Sequence, residues 1–113
     1  MANSFINKKV DLTTADLTTL YTVPSAKTSV IKSLLVSEDA GSGTTITITL
    51  VNSSGVIFNL FKDKAIGSKA TTELLTNPLV MEESEILKVQ AADANELHVI
   101  ASILEIQPRE VTT

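Results

Sequence analysis

Residues 43–52 read GTTITITLVN, and within them Ile46, Ile48 and Leu50 alternate with Thr45, Thr47 and Thr49. Successive side chains of an extended chain point to opposite faces, so strict alternation describes a β-strand with one dry face. Threonine suits the other face, because its β-branch fits a pleated surface while its hydroxyl meets water. Directly after this run come NSSG (Asn52–Gly55) and a second apolar run beginning at Val56, VIFNLF. Two such runs joined by a short Asn/Gly turn predict an antiparallel hairpin.

The same reading extends in both directions. Period-two stretches between turn signals predict about eight strands: Ser4–Val10, Leu20–Val23, Ser29–Ser37, Thr44–Asn52, Val56–Lys64, Thr71–Thr76, Glu85–Ala91 and Glu96–Ile106. Between them lie VPSAK, EDAGSG, NSSG, IGSK, NPLVMEES and ADAN, each with Pro, Gly, Asn or Asp where the backbone must turn. This spacing predicts an all-β fold, an antiparallel β-sandwich of jelly-roll type with little helix. The echo of DLTT at Asp11–Thr14 and Asp16–Thr19 is too short for a repeat architecture and too Thr-rich for a helix, so it reads as a link.

With 113 residues the chain is of single-domain size, and its 43% hydrophobic but only 4% aromatic content calls for an aliphatic core. No apolar run approaches the roughly 20 residues of a membrane helix, so no membrane partner is expected. A net charge of −4 lacks the clustered basic face that phosphate binding needs, so no nucleic-acid partner is expected. The chain has no Cys, hence neither disulfides nor a zinc site of the usual kind. MANSFINKKV lacks the basic-then-apolar order of a secretory signal, and synthesis in a cytoplasm is expected.

Two predicted strands are apolar on both faces. Val30, Leu34 and Val36 share one parity and Ile31 and Leu35 the other; Leu97, Val99, Ala101 and Ile103 oppose Ile100, Leu104 and Ile106. A two-layer sandwich buries one face, so the other needs a cover, unless a bulge switches parity midway or the N-terminal segment folds across. The alternative is a subunit interface around a symmetry axis, which would also stabilise a small cysteine-free domain. Its candidate residues are Ile31, Leu35, Ile100, Leu104 and Ile106, with Phe5, Ile6, Val10 and Leu12 from the N-terminal segment.

The chemistry-bearing residues are sparse. His98 is the sole histidine and lies mid-strand in ELHVIAS, where a surface or interface role is expected rather than that of a general base. Neither a nucleophile elbow nor a phosphate-binding glycine motif occurs. The acidic groups Glu38–Asp39, Glu82–Glu83–Glu85 and Asp93–Glu96 fall in turns without the spacing of a calcium loop. No catalysis, metal or cofactor is therefore expected. Tyr21, before Val23-Pro24, is expected to pin a corner through its hydroxyl, and at least one of Phe58 and Phe61, on opposite faces of one predicted strand, should enter the core.

The run LYTVPSAKTSVIKSLLVSE (Leu20–Glu38), the Thr/Ile strand, the hairpin into VIFNLFKDKAI and ESEILKVQAADANELHVIASILEI (Glu83–Ile106) resemble small β-sandwich virion proteins of tailed bacteriophages. The likeness lies in the Tyr-Thr-Val-Pro corner followed by Lys27, and in the E-x-L-K-V-Q-A strand (Glu85–Ala91) leading through Asn95 to an L-H-V strand. It covers Leu20 to Ile106, leaving residues 1–19 as an N-terminal arm or first strand and link, and 107–113 as a flexible tail. The resemblance implies a non-catalytic virion structural protein, foremost a capsid decoration or cement protein that forms homotrimers and bridges major capsid subunits. Its rivals are a neck, tail or fibre-base component, a glycan-binding adhesin using Asp39, Asn77, Asp93 and Asn95, and, least, a small hydrolase.

Overall fold

The computed structural model describes residues 2–107. Among them run nine strands: β1 Ala2–Leu12, β2 Thr18–Thr22, β3 Thr28–Glu38, β4 Thr44–Val51, β5 Ile57–Ile66, β6 Thr71–Glu73, β7 Leu79–Met81, β8 Ile86–Ala91 and β9 Leu97–Gln107. No described residue is helical. All ladders are antiparallel.

The strand forecast differs at one element. Leu79–Met81, read from sequence as part of a turn, is β7, and with β6 it pairs along β3 at two separate places. Three residues contain barely one period of alternation, and Pro78 disguises the start, so no sequence pattern marks this strand.

One sheet has the order β1-β9-β3-β6, with β7 also on β3, and the other β2-β8-β4-β5. The pairs β1/β9, β2/β8, β3/β6–β7 and β4/β5 are those of one long hairpin folded back on itself and rolled, so that alternate pairs fall in opposite sheets. This is the jelly-roll architecture, a two-layer β-sandwich. The hairpin β4–β5 turns at Asn52–Gly55, where the Asn52 carboxamide oxygen accepts from the backbone N–H of Ser54 and Val56, each at 2.9 Å. Gly55 takes a φ of 84°, which costs a residue without Cβ little.

Ile46, Ile48 and Leu50 form the dry face of β4 as their alternation requires, against Leu87 and Val89 of β8 and Leu34, Val36, Val99 and Ala101 of the facing sheet. The core is aliphatic, with Tyr21 its one fully buried aromatic among the described residues. Phe58 and Phe61 do not part to opposite faces. A bulge between the pairs Ile48↔Phe61 and Thr49↔Asn59 leaves Leu60 over and sets both rings beside inward residues, Phe61 half-buried and Phe58 half-exposed next to Leu50.

A second bulge governs β3. Its register on β9 passes from Ile31↔Ile103 to Ser33↔Ser102, so Lys32 is the extra residue and parity reverses there. Ser29 and Ile31 point inward before the bulge, and Leu34, Val36 and Glu38 after it. The double-sided apolarity of β3 is thus partly a single core face interrupted by one inserted residue.

Candidate assembly face and the polar ends of the sandwich

Residues directly opposite one another in antiparallel strands share a face, so the ladders fix what the outside of the larger sheet presents. Phe5 of β1 lies opposite Leu104 of β9, Leu104 opposite Val30 of β3, and Val30 opposite Val80 of β7. These four apolar side chains cross four strands in one row. Its ends are the most open, Phe5 at 79% and Val80 at 59% exposure. One step outward, Ile106 stands between Asn3 and Thr28; two steps the other way, Ile100, 41% exposed, stands between Lys9 and Leu35.

The residues expected at an interface divide into three groups. Phe5, Leu35, Ile100, Leu104 and Ile106 share this outer face. Ile6 and Val10 lie half-buried on the inner side of β1, packed against the core. Leu12 and Ile31 are core residues, 1% and 0% exposed, and do not belong to the surface. For Ile31 the cause is the Lys32 bulge; for Leu12 it is pairing with the inward Leu97. Val30 and Val80 belong to the row and were missed, because Val30 carries the parity of the inward Leu34 until the bulge is known and β7 has no sequence signature.

β1 is paired along its whole length to β9, from Ala2↔Gln107 to Leu12↔Leu97, so residues 2–12 form the first strand of the larger sheet. The proposed tail lies, apart from Gln107, outside the described residues.

Beyond this row the same face becomes polar. Asp11, His98, Ser37 and Thr71 line up across β1, β9, β3 and β6. The His98 ring stands between two carboxylates, with Nε2 3.2 Å from Asp11 Oδ1 and Nδ1 3.7 Å from Asp39 Oδ2. All three side chains are well exposed, and an open groove of about 340 Å³ runs beside them along Lys9, Val10, Asp11, His98, Val99 and Ile100. No hydroxyl or thiol side chain lines that groove.

At this polar end Glu38 points inward and is nearly inaccessible. Its carboxylate accepts from the backbone N–H of Lys69 at 2.8 Å, Gly41 at 2.9 Å, and Ser42 and Gly43 at 3.3 Å each. The Lys69 N–H foremost, opposed by burial but helped by the loop N–H groups, holds its pKa down at about 2. One carboxylate thereby ties the β3–β4 loop to the β5–β6 loop.

A second buried carboxylate closes the opposite end. Glu105, on the inner face opposite Ser29, accepts from the Tyr21 hydroxyl at 2.5 Å and from Lys27 Nζ at 3.0 Å, and Tyr21 Oη also meets Ser29 Oγ at 2.7 Å. Burial resists the ionisation of Glu105, but the Tyr21 and Lys27 contacts outweigh it and leave the pKa below the ordinary carboxylate range. Burial first, and the neighbouring carboxylate second, push the Tyr21 hydroxyl far upward, so it remains a donor. The corner tyrosine expected from sequence thus fastens β2 of one sheet to β3 and β9 of the other. Its carboxylate partner, 84 residues away, was not foreseeable. Glu73 makes a third such contact, on Ser33 Oγ and the backbone N–H of Leu34 and Leu75.

Of the four loop residues considered for a glycan, three share one end of the sandwich and Asn77 lies apart. Asp39 and Asn95 share the polar end, bonding through their N–H groups to Glu96 and Leu12, and Asp93 accepts from Thr44 there. Asn77 lies in the β6–β7 link along the flank of β3. No group of three or more His, Asp or Glu able to hold a metal occurs among the described residues.

No protein-family model matches the chain, and no curated protein matches it. Among solved structures it is similar to one described as the structure of infectious bursal disease virus Gt strain, with a TM-score of 0.48 and 12% identity. The alignment covers 93% of this chain and 30% of the viral one, so the chain spans under a third of that neighbour's length.

Proposed function

We propose that the chain is a non-enzymatic structural protein of a bacteriophage virion, made in the host cytoplasm and acting as a capsid decoration or cement protein. Three copies bury the outer face of the larger sheet around a three-fold axis, and the trimer bridges neighbouring major capsid subunits. The observation that carries this reading is the row Phe5–Leu104–Val30–Val80, flanked by Ile106 on one side and by Ile100 and Leu35 on the other. Apolar side chains scattered singly are normal on a surface, whereas a contiguous exposed apolar row is the kind of surface that contact sites use. The resemblance of residues 20–106 to small virion sandwiches supplies the setting, since a jelly roll by itself specifies no role.

Light scattering after size exclusion tests the first half of the reading. The purified protein should assemble in multiples of three, and Phe5→Asp should abolish the three-fold species without loss of β-sheet circular dichroism. Co-sedimentation with undecorated capsids tests the second half. A protein that is monomeric at high micromolar concentration and stays in the supernatant with capsids overturns the proposal.

A further inference from the structure

The two sheets have four kinds of edge, and three are guarded. β2 is five residues long and its ladder is interrupted between Thr19 and Tyr21. β6 and β7 have three residues each. β5 is bulged twice, carries Lys62-Asp63-Lys64, and turns Asp63 to a φ of 52°. Short length, bulges and charge are the devices by which proteins keep an edge from pairing. β1 differs: its eleven residues run in unbroken register on β9, and no strand among the described residues pairs with its other edge. Only Lys8 and Lys9 oppose pairing along it, with Asp11 already engaged by His98.

We propose that β1 pairs antiparallel with β1 of a second copy across a two-fold axis at Asn7, joining two of the larger sheets into one continuous sheet. This contact uses the backbone edge of β1 and is independent of the three-fold reading above, which uses the outer face.

The register follows from parity and charge. Odd residues of β1 share the outer face and even residues the inner face, so symmetric pairing opposes residues of like parity. Axes at Lys8 or Lys9 set identical lysines against each other, which is destabilising. An axis at Asn7 opposes Lys9 to the second copy's Phe5 and Lys8 to its Ile6, so lysine stems cover apolar side chains and the ammonium groups stay apart. It is also the axis that overlaps all eleven residues. Antiparallel pairing over that length forms about ten main-chain hydrogen bonds, the number of a standard protein interface. The three-residue edges could form only two or three, which is why a second copy fits β1 and not them.

The absence of cysteine from the chain allows a clean test. Asn7→Cys places one exposed thiol on the axis, where opposed Cα atoms come within disulfide reach. On mild oxidation it should form a covalent dimer at least tenfold faster than Ser54→Cys, an exposed control in the β4–β5 turn. Mixed Asn3→Cys and Asp11→Cys proteins should cross-link to each other and not to themselves, because that register opposes residue 3 to residue 11. The Asn7 cross-link should persist when Phe5→Asp is added, since the new carboxylate faces the second copy's Lys9. Loss of the trimer with retention of this cross-link separates the two readings. Asn7→Cys cross-linking no faster than the Ser54 control, or mixed proteins no better than either alone, overturns the proposal.

Discussion

Tyr21→Phe isolates the fastening between the two sheets, because it removes one oxygen and leaves the buried ring in place. No cavity is created, so the effect is electrostatic rather than one of packing. In the native protein the hydroxyl donates to Glu105 at 2.5 Å and meets Ser29 at 2.7 Å, in a site where Tyr21 and Ser29 are almost wholly buried. A hydrogen bond to a charged group contributes about 1.5–3 kcal/mol, and a buried acceptor left without its donor loses most of that. Glu105 would keep Lys27, and Ser29 would lose its hydroxyl partner, so the expected loss is about 2–3 kcal/mol at pH 7. For a domain of this size that is a fall in Tm of roughly 8–12 °C.

The pH dependence distinguishes this cause from a general loosening. Glu105 titrates lower in the folded chain than in the unfolded one, so its stabilising contribution is present above the ordinary carboxylate pKa of about 4.3 and is lost as pH falls below that value. The variant has less of this contribution to lose. Urea unfolding at pH 7 and pH 3 should therefore show the two proteins converging in acid. Ser29→Ala, which spares the Tyr21–Glu105 bond, should cost no more than about 1 kcal/mol. A Tyr21→Phe loss below about 0.5 kcal/mol at pH 7, or one of equal size at both pH values, would refute the assignment.

Glu38→Gln puts an NH₂ group among the loop N–H donors and should lower the Tm at neutral pH. Since the folded pKa is depressed from 4.5 to about 2, thermal scans across that interval should show the wild type losing its advantage as pH falls, and a constant gap would count against the loop-tying role. Deleting Lys32 removes the inserted residue and leaves Ser29, Ile31, Leu34 and Val36 on the core face in unbroken alternation, so the fold should survive with a loss of at most about 3 kcal/mol, against under about 0.5 for Lys32→Ala, and a deletion variant that fails to fold would disprove the parity switch. His98→Ala removes the exposed contacts to Asp11 and Asp39 and should change stability by less than about 1 kcal/mol in denaturant titration, leaving self-association unchanged. Loss of assembly in that variant, with the fold intact, would assign His98 a role in the contact.

What the sequence revealed and what it hid follow from the range of each interaction. The Thr/Ile alternation of β4 and the Asn52–Gly55 turn are local, so strand, face and hairpin could all be read. Parity counting is also local, but it fails across an inserted residue. Lys32 and Leu60 each break the count, and Val30, Ile31 and Phe61 were misplaced for that reason. β7 is too short to carry a period. The carboxylate fastenings are non-local in the extreme, with Tyr21 and Glu105 held together only by the completed roll, so a sequence scan could flag the tyrosine but not its partner. β9 remained legible throughout because its ladder has no bulge on β1: Leu97, Val99, Ala101 and Ile103 face the core, and Ile100, Leu104 and Ile106 face out.

The distribution of satisfied and unsatisfied surface then bears on use. Among the described residues no buried side-chain nitrogen or oxygen lacks a partner. Glu38, Glu73 and Glu105, the acids with lowered pKa, are each held by the chain's own donors, two of them closing opposite ends of the sandwich. A carboxylate bound by four backbone N–H groups, or by a tyrosine and a lysine, is committed to the fold, and releasing it for another task would forfeit the stability it contributes. The apolar groups divide differently. β9 faces a filled core on one side, while on the other Leu104 and Ile100 continue into Phe5, Val80 and Leu35, which meet water. Burying these against protein would gain about 25 cal/mol for each Å² removed from solvent, with no polar group to desolvate in the central row. The buried carboxylates of this jelly roll thus hold its two sheets and the β3–β4 and β5–β6 loops together, while the outer face of the larger sheet keeps apolar area whose burial would add stability.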